Sequence, residues 1–128
     1  MEANKLGAQI LIIEDDLDLS AEITDFLRRR RNTVRACATL AEAEQALQEM
    51  HPDVVMSDIC LPDGDGASFF VTHAGAHTQA KWLLMSGNQD LVRQGNRLGA
   101  EGDASPFAVL DKPVPLRLLD RFIRSAKH

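Results

Sequence analysis

The chain has 128 residues, of which 45% are hydrophobic and 26% are charged, and its formal net charge is -5 at pH 7. These values are typical of a soluble globular protein of about one domain, and they argue against a disordered chain or direct binding to nucleic acid. No apolar run approaches the roughly 20 residues that span a bilayer, and no secretory signal precedes the acids at 14–16. A cytoplasmic protein without membrane contacts, whose Cys37 and Cys60 are free thiols, is therefore expected.

The first half of the chain contains short apolar runs separated by amphipathic segments. Two runs predict buried strands at residues 9–13 and 54–57, and residues 33–38 are a further strand candidate. Apolar residues at i, i+4, i+7 and i+8 from Leu19 predict a helix after the first strand. Asn32 is expected to provide a left-handed cap before the second strand. Thr39 and Glu42 form a capping box, which predicts the start of a second helix.

The second half continues this alternation. Two further strands are predicted at 82–85 and 107–110, and three further helices at 67 to about 76, about 88–98, and 115–126. Strict alternation of short strands and helices predicts an α/β fold, a five-stranded doubly wound parallel sheet with five helices. In such sheets, ligands bind at the carboxyl ends of the strands.

Polar residues follow four of the five predicted strands. They are Glu14, Asp15 and Asp16, then Asp58, then Ser86, and finally Asp111 and Lys112. Because parallel strands end at one edge, these side chains are expected to converge there. Crowded carboxylates favour a divalent cation, and oxygen ligands with room for water suit Mg²⁺. A carboxylate nucleophile, a hydroxyl and an ammonium group around that cation indicate phosphoryl transfer to an aspartate.

Each of these residues also has a simpler explanation. The acids at 14–16 would be favoured at any helix N-terminus, Ser86 with Gly87 could only mark the start of a helix, and Lys112 could be solvated. The arginine run at 28–31, joined by Arg35, is expected to be the solvated end of a helix, and contact with a partner or with nucleic acid is the alternative. Because the polar residues occur together at four strand ends, a shared functional site is favoured over these separate explanations.

Four segments carry a resemblance to a known family. ILIIEDD at 10–16, PDVVMSDICLPDGDG at 52–66, LLMSG at 83–87 and LDKP at 110–113 resemble, in order, the receiver domain of bacterial two-component response regulators. The resemblance implies a single receiver domain over residues 1–128, with its core at about 8–126 and the flavodoxin-like strand order 2-1-3-4-5. It implies that Asp58 is the phosphoacceptor for a histidine kinase, a phosphotransfer protein or a small phosphodonor. The output would be an unknown partner protein or a fused effector domain.

The resemblance also implies roles for the other polar residues. The implied ligands of Mg²⁺ are Asp15, Asp58, the backbone carbonyl of Cys60 and, through a water molecule, Glu14. Ser86 would hydrogen-bond the phosphoryl group, and Lys112 would pair with it. Asp16 would then lie at the start of the first helix and would not be a ligand of Mg²⁺.

Two features depart from the family pattern. Val109 stands three positions before Lys112, where receivers commonly have an aromatic switch residue, and the chain contains no tyrosine. Phe107 is a candidate substitute for that aromatic. The segment between Gly99 and Lys112 is longer than usual, which predicts an extended loop before the fifth strand. Dimerisation on activation, through the face of the predicted fourth helix, is left open.

The expected function is a switch that completes its own phosphorylation and dephosphorylation and is not a metabolic enzyme. A receiver fold used as a phosphorylation-independent docking module is one alternative. A phosphatase with an aspartyl nucleophile is another, but haloacid-dehalogenase-like phosphatases have an acid two residues after the nucleophile, where this chain has Cys60. A flavodoxin-like cofactor site is disfavoured because the acids after the first strand would repel a phosphate.

Overall fold

The computed structural model describes residues 7–76, 79–87, 107–112 and 114–126. The strands in these ranges are β1 (Gln9–Ile13), β2 (Thr33–Cys37), β3 (Val54–Asp58), β4 (Cys60–Leu61), β5 (Gly64–Asp65), β6 (Lys81–Ser86) and β7 (Phe107–Asp111). The helices are α1 (Leu17–Arg28), α2 (Leu40–Glu49), α3 (Gly66–His73) and α4 (Leu116–Ala126), and a 3₁₀ turn follows α3 at Ala74–Ala76.

The main sheet has the order β2-β1-β3-β6-β7, and every pair of neighbouring strands in it is parallel. Since β6 and β7 are the fourth and fifth strands of this sheet in chain order, the predicted order 2-1-3-4-5 is confirmed. The helix predicted at about 88–98 and the extended loop predicted before β7 fall outside the described residues.

The sheet separates two hydrophobic cores. Alternate residues of β1 point to opposite faces, as the two-residue period of a strand requires. Ile10 and Ile12 pack with residues of α1 and α4, whereas Leu11 and Ile13 pack with residues of α2 and with Trp82. Both faces of the sheet are therefore covered by helices, which explains why its central strands consist of continuous apolar runs.

Three strands extend one residue beyond their predicted ends. Asp58 is the last residue of β3, Ser86 is the last residue of β6, and Asp111 is the last residue of β7. Asp58 follows an apolar run and precedes Pro62 and Gly64, a pattern that predicts a loop position outside the core, and this prediction is wrong. Its Cα pairs with that of Met85, and only 7% of the residue is exposed. The turn that begins with Pro62 instead joins a small antiparallel hairpin, β4 and β5.

The connection from α1 to β2 also differs from the prediction. Arg31, not Asn32, has the positive φ, of 69°. Asn32 instead forms two side-chain hydrogen bonds. Its side-chain oxygen accepts one from Ala8 N, and its Nδ2 donates one to Leu27 O. The asparagine thus ties the start of β1 to the end of α1, and its neighbour takes the left-handed conformation.

The helix lengths bear on the question of membrane contact. Within the described ranges, no helix is both long enough and apolar enough to cross a membrane.

Candidate functional site

The end of β1 places three successive acids in three different surroundings. Glu14 is 1% exposed and continues the buried strand, whereas Asp15 is exposed. Asp16 is the N-cap of α1, and its side chain accepts hydrogen bonds from Asp18 N and Leu19 N, each at 3.1 Å. The prediction that Asp16 begins the helix is confirmed, and Glu14 and Asp15 are left at the sheet edge.

Asp58 lies at the end of β3 with both carboxylate oxygens engaged. Oδ1 accepts a long hydrogen bond of 3.4 Å from Cys60 N, and Oδ2 is 3.1 Å from Lys112 Nζ. Gly66, the first residue of α3, donates its N–H to Ile59 O at 2.7 Å. A Cβ at Gly66 would be 2.1 Å from Asp58 O, so the absence of a side chain lets α3 begin directly against the backbone of Asp58.

Lys112 joins the ends of β1 and β3. Its Nζ is 2.8 Å from Glu14 Oε1, in addition to its contact with Asp58. Its backbone N–H donates to Ser86 O at 3.0 Å, which fixes the lysine beside the end of β6. One ammonium group is therefore shared by two carboxylates.

The electrostatics of this pairing are reflected in two pKa shifts. Burial raises the pKa of Glu14 above its ordinary value, and the neighbouring charge of Asp58 adds to the effect, while the hydrogen bond from Lys112 opposes it. Burial alone would lower the pKa of Lys112, but its hydrogen bonds to Glu14 and Asp58 outweigh burial and raise that pKa. Lys112 is thus held firmly in its charged form.

Three carboxylates form a potential cation site. Glu14, Asp15 and Asp58 each offer an oxygen, and these oxygens lie within 4.8 Å of one another. One acid of the three is exposed and the other two are buried, so a bound cation would have protein ligands on one side and access to water on the other. This all-oxygen donor set, open to solvent, fits a hard divalent cation that keeps part of its water shell.

The structure therefore brings together Glu14, Asp15, Asp58 and Lys112, as the sequence predicted. Ser86 is buried one position beyond Met85, the register partner of Asp58. Ser86 is accordingly in the strand next to the aspartate, at the same edge of the sheet.

Three further candidates lie around this group. Cys60 is exposed in the β4–β5 hairpin and contacts Asp58 through its backbone N–H. Val109 and Phe107 lie in β7, where their Cα atoms pair with those of Leu84 and Trp82. The side chains of Val109 and Phe107 are outside the described part of the structure.

A supporting contact was not predicted from the sequence. The Asp63 carboxylate accepts hydrogen bonds from Leu40 N at 2.9 Å and from Ala41 N at 3.1 Å, at the first turn of α2. These bonds, that from Leu40 first, lower the pKa of Asp63. The Asp63–Gly64 pair predicts a turn. No local sequence pattern indicates that the carboxylate in this turn accepts hydrogen bonds from the first turn of α2, 23 residues earlier in the chain.

These observations define a class of protein: a doubly wound parallel α/β domain with a carboxylate cluster and a lysine at the carboxyl ends of its strands. Comparison with known proteins gives the family. The family described as "Response regulator receiver domain" matches residues 10–124. The chain belongs to this family, whose general function is phosphorylation at an aspartate.

Individual relatives agree with this assignment. The chain is 31% identical over 117 residues to the transcriptional regulatory protein AfsQ1 of Streptomyces coelicolor, a match that covers 91% of this chain and 49% of AfsQ1. It is 28% identical over 115 residues to the sensor kinase CckA of Brucella abortus, covering 88% of this chain and 12% of CckA. The chain thus spans about half or less of these relatives.

A solved structure shows the same fold. A response regulator receiver domain protein from Clostridium thermocellum superimposes with a TM-score of 0.79 at 25% sequence identity, and the match covers 93% of each chain.

Proposed function

We propose that this chain is a Mg²⁺-dependent switch in which phosphorylation of Asp58 controls binding to a partner. The observation that carries the proposal is the position of Lys112 Nζ, 2.8 Å from Glu14 Oε1 and 3.1 Å from Asp58 Oδ2, beside the exposed Asp15. A carboxylate nucleophile, a fixed ammonium group and a cation site meet at one edge of the sheet. This combination is suited to phosphoryl transfer, which depends mainly on positioning and charge stabilisation.

In the proposed reaction, an oxygen of the Asp58 carboxylate attacks the phosphorus of a donor such as acetyl phosphate. A P–O bond to Asp58 forms, the P–O bond to the acetyl group breaks, and acetate leaves with the electron pair. Mg²⁺, when bound, would neutralise the negative charges that the carboxylates and the phosphoryl oxygens bring together. Its proposed ligands are Asp15, Asp58, the backbone carbonyl of Cys60 and, through a water molecule, Glu14.

Lys112 and Ser86 are the proposed phosphoryl-binding residues. Lys112 Nζ already pairs with Asp58 Oδ2 and would pair with an oxygen of the phosphoryl group after the transfer. Ser86 would donate its hydroxyl proton to a phosphoryl oxygen from the neighbouring strand. Hydrolysis of the acyl phosphate then restores Asp58, so the chain carries out its own phosphorylation and dephosphorylation without turning over a metabolite.

The proposed phosphodonor in the cell is a histidine kinase or a phosphotransfer protein. The proposed output is a separate partner or a fused effector domain, since the relatives that the chain matches are about twice as long or longer. The two free cysteines fit a reducing compartment, which supports a cytoplasmic location. Val109 and Phe107, in β7, are the candidate positions for transmitting the state of Asp58 to a surface.

The proposal is tested by incubating the protein with Mg²⁺ and acetyl phosphate and measuring its intact mass. We expect the parent to gain the mass of one HPO₃ group and Asp58→Asn to gain none. Asp65→Asn is the matched control, because Asp65 is a nearby exposed acid that caps α3 and asparagine is an equally good N-cap. Chelation of Mg²⁺ should prevent the mass gain in the parent and in the control.

Equal phosphorylation of Asp58→Asn and the parent would contradict the assignment of Asp58. A parent that gains no mass from acetyl phosphate, and that does not respond to beryllofluoride through Trp82 fluorescence, would favour a phosphorylation-independent docking module instead.

A further inference from the structure

A basic groove lies between the end of α1 and the outer side of α4. Its cavity of about 270 Å³ is lined by Arg30, Arg117, Asp120, Arg121 and Arg124. The lining thus contains four arginines and one aspartate, which gives it an excess of positive charge. This excess contrasts with the net charge of -5 of the whole chain.

Two arginines of this basic groove are held in place. The Arg30 Cζ atom is 3.9 Å from the centre of the Phe26 ring, and its Nε is 3.7 Å from Asp120 Oδ1. Arg124 Nε is 3.1 Å from Asp120 Oδ2. Stacking on a ring occupies the face of a guanidinium group and leaves its N–H edge available to an acceptor. Asp120 and Phe26 therefore orient arginine donors without occupying all of them.

The other two arginines are available to a ligand. Arg117 and Arg121 are exposed and form no ion pair with a carboxylate in the ranges that the structure describes. With Arg124 they lie at i, i+4 and i+7 of α4, a stripe about 10 Å long at 1.5 Å per residue. An elongated stripe fits a chain of several anionic groups better than it fits one small ion.

The basic groove lies far from the carboxylate cluster. Gly7 and Ala8, which precede β1, line a cavity that shares Arg30, Asp120 and Arg124 with the groove. Glu14 and Asp15 follow the same strand. Five residues of strand separate the two ends by about 17 Å. The groove is therefore at the opposite edge of the sheet from Asp58 and is not part of the proposed phosphorylation site.

We propose that the basic groove is a docking surface for a carboxylate-rich segment of a partner protein. Every cation of the groove is an arginine, and the planar fork of arginine matches the two oxygens of a carboxylate. Charge complementarity with an acidic segment is the basis for this choice. The inference does not depend on phosphorylation of Asp58.

Nucleic acid fits the basic groove less well. Among the described residues that line the groove, none is an aromatic on which a base could stack, a contact that single-strand binding surfaces commonly use. The remainder of the chain is acidic, so a long polyanion would meet repulsion beyond the groove. A short acidic peptide would stay within the groove, where four arginines outweigh the single carboxylate of Asp120.

The test uses a fluorescein-labelled peptide of four glutamates, about as long as the stripe, titrated with the full chain at low salt and followed by fluorescence anisotropy. Arg117→Gln with Arg121→Gln removes two charges from the groove. Arg35→Gln with Lys81→Gln is the matched control, since it removes two charges elsewhere and gives the same net charge. We expect the groove variant to weaken peptide binding at least tenfold and the control variant to change it less than twofold. Circular dichroism and Trp82 fluorescence establish that both variants are folded.

Equal weakening by the two double variants would overturn the proposal, because binding would then follow net charge alone. Absence of peptide binding to the parent would overturn it as well. A labelled four-nucleotide oligothymidylate is measured in parallel. If the oligonucleotide binds the parent more tightly than the peptide does, and the groove variant loses this binding, the groove is a nucleic-acid site and the proposed partner is wrong.

Discussion

At the scale of single residues, Lys112 determines the electrostatic balance of the site. It stands between Glu14 and Asp58, which are buried and carry like charges, and it contacts an oxygen of each. A buried charge that loses its partner costs far more than an exposed one, because it can recover little hydration. The lysine is therefore expected to contribute to the stability of the fold as well as to phosphoryl binding.

Replacing Lys112 by glutamine should lower the free energy of unfolding by about 1 to 3 kcal/mol. Added Mg²⁺ should recover part of the loss, because a cation near Asp15 and Asp58 restores the missing positive charge. Urea denaturation with and without Mg²⁺ measures both effects. Lys81→Gln, at the start of β6, is the control and should change stability by less than about 0.5 kcal/mol. Equal losses in the two variants would show that Lys112 does not stabilise the carboxylates.

At the scale of elements, the start of α3 is fitted against the end of β3. A Cβ at Gly66 would be 2.1 Å from Asp58 O and 2.7 Å from Ser57 Oγ, both of which belong to a strand in the centre of the sheet. Because the strand cannot move without disturbing its neighbours, the helix would have to shift.

Gly66→Ala should therefore destabilise the protein by about 1 to 3 kcal/mol and reduce phosphorylation by acetyl phosphate. Gly75→Ala is the matched control, because a Cβ there has no atom within 4 Å and alanine reduces the freedom of the unfolded chain. Thermal denaturation and intact mass measure the two effects. If the Gly66→Ala protein is as stable and as readily phosphorylated as Gly75→Ala, the start of α3 accommodates a Cβ beside Asp58 O without loss of stability, and the prediction is wrong.

A second connection between elements joins the turn after β4 to α2. The Asp63 carboxylate accepts hydrogen bonds from the backbone N–H groups of Leu40 and Ala41. These groups lie in the first turn of α2 and have no acceptor within the helix. The pKa of Asp63 is lowered in the folded protein, so the contribution of this residue to stability is fully present above the ordinary aspartate pKa of about 3.9. The contribution is lost as the pH falls through the lower, folded-state pKa.

Asp63→Ala should thus be less stable than the parent at neutral pH, and the difference should disappear in acid. Urea midpoints of the two proteins between pH 7 and pH 3 measure this, and the gap between them should narrow below about pH 4. Glu44→Ala removes an exposed acid from α2 itself and controls for the loss of one negative charge near this helix. A gap that stays constant down to pH 3 would mean that the charge of Asp63 is not what stabilises α2.

The elements also show what the sequence can and cannot predict. Four of the five strands of the sheet were predicted from continuous apolar runs, and the ends of these four runs located the polar residues of the site. The positive φ fell on Arg31 instead of Asn32 because Asn32 is held by Ala8, 24 residues away in the chain. Likewise, the pairing of Lys112 with Glu14 joins residues from opposite ends of the chain. Local sequence patterns predict the helices and strands, but contacts between residues distant in the chain form only when the sheet assembles.

At the scale of the whole molecule, one sheet separates two cores that share its strands. Leu27 belongs to the core formed with α1 and α4, and Trp82 belongs to the core on the other face. Both residues are fully buried. If the chain is one domain, as the sequence predicts, the two cores should unfold together, because neither face can lose its helices without exposing the strands that the other face needs.

Leu27→Ala tests this coupling across the sheet. Removal of a buried leucine side chain should lower the free energy of unfolding by about 2 to 5 kcal/mol. In a single cooperative unit, the urea midpoint of Trp82 fluorescence should fall as far as the midpoint of helical circular dichroism, although Trp82 is on the opposite face. Leu17→Ala, at a position of α1 that is 71% exposed, is the control and should move neither midpoint appreciably. A Leu27→Ala protein that loses part of its helical signal while Trp82 keeps the parent's midpoint would show that the two faces unfold independently.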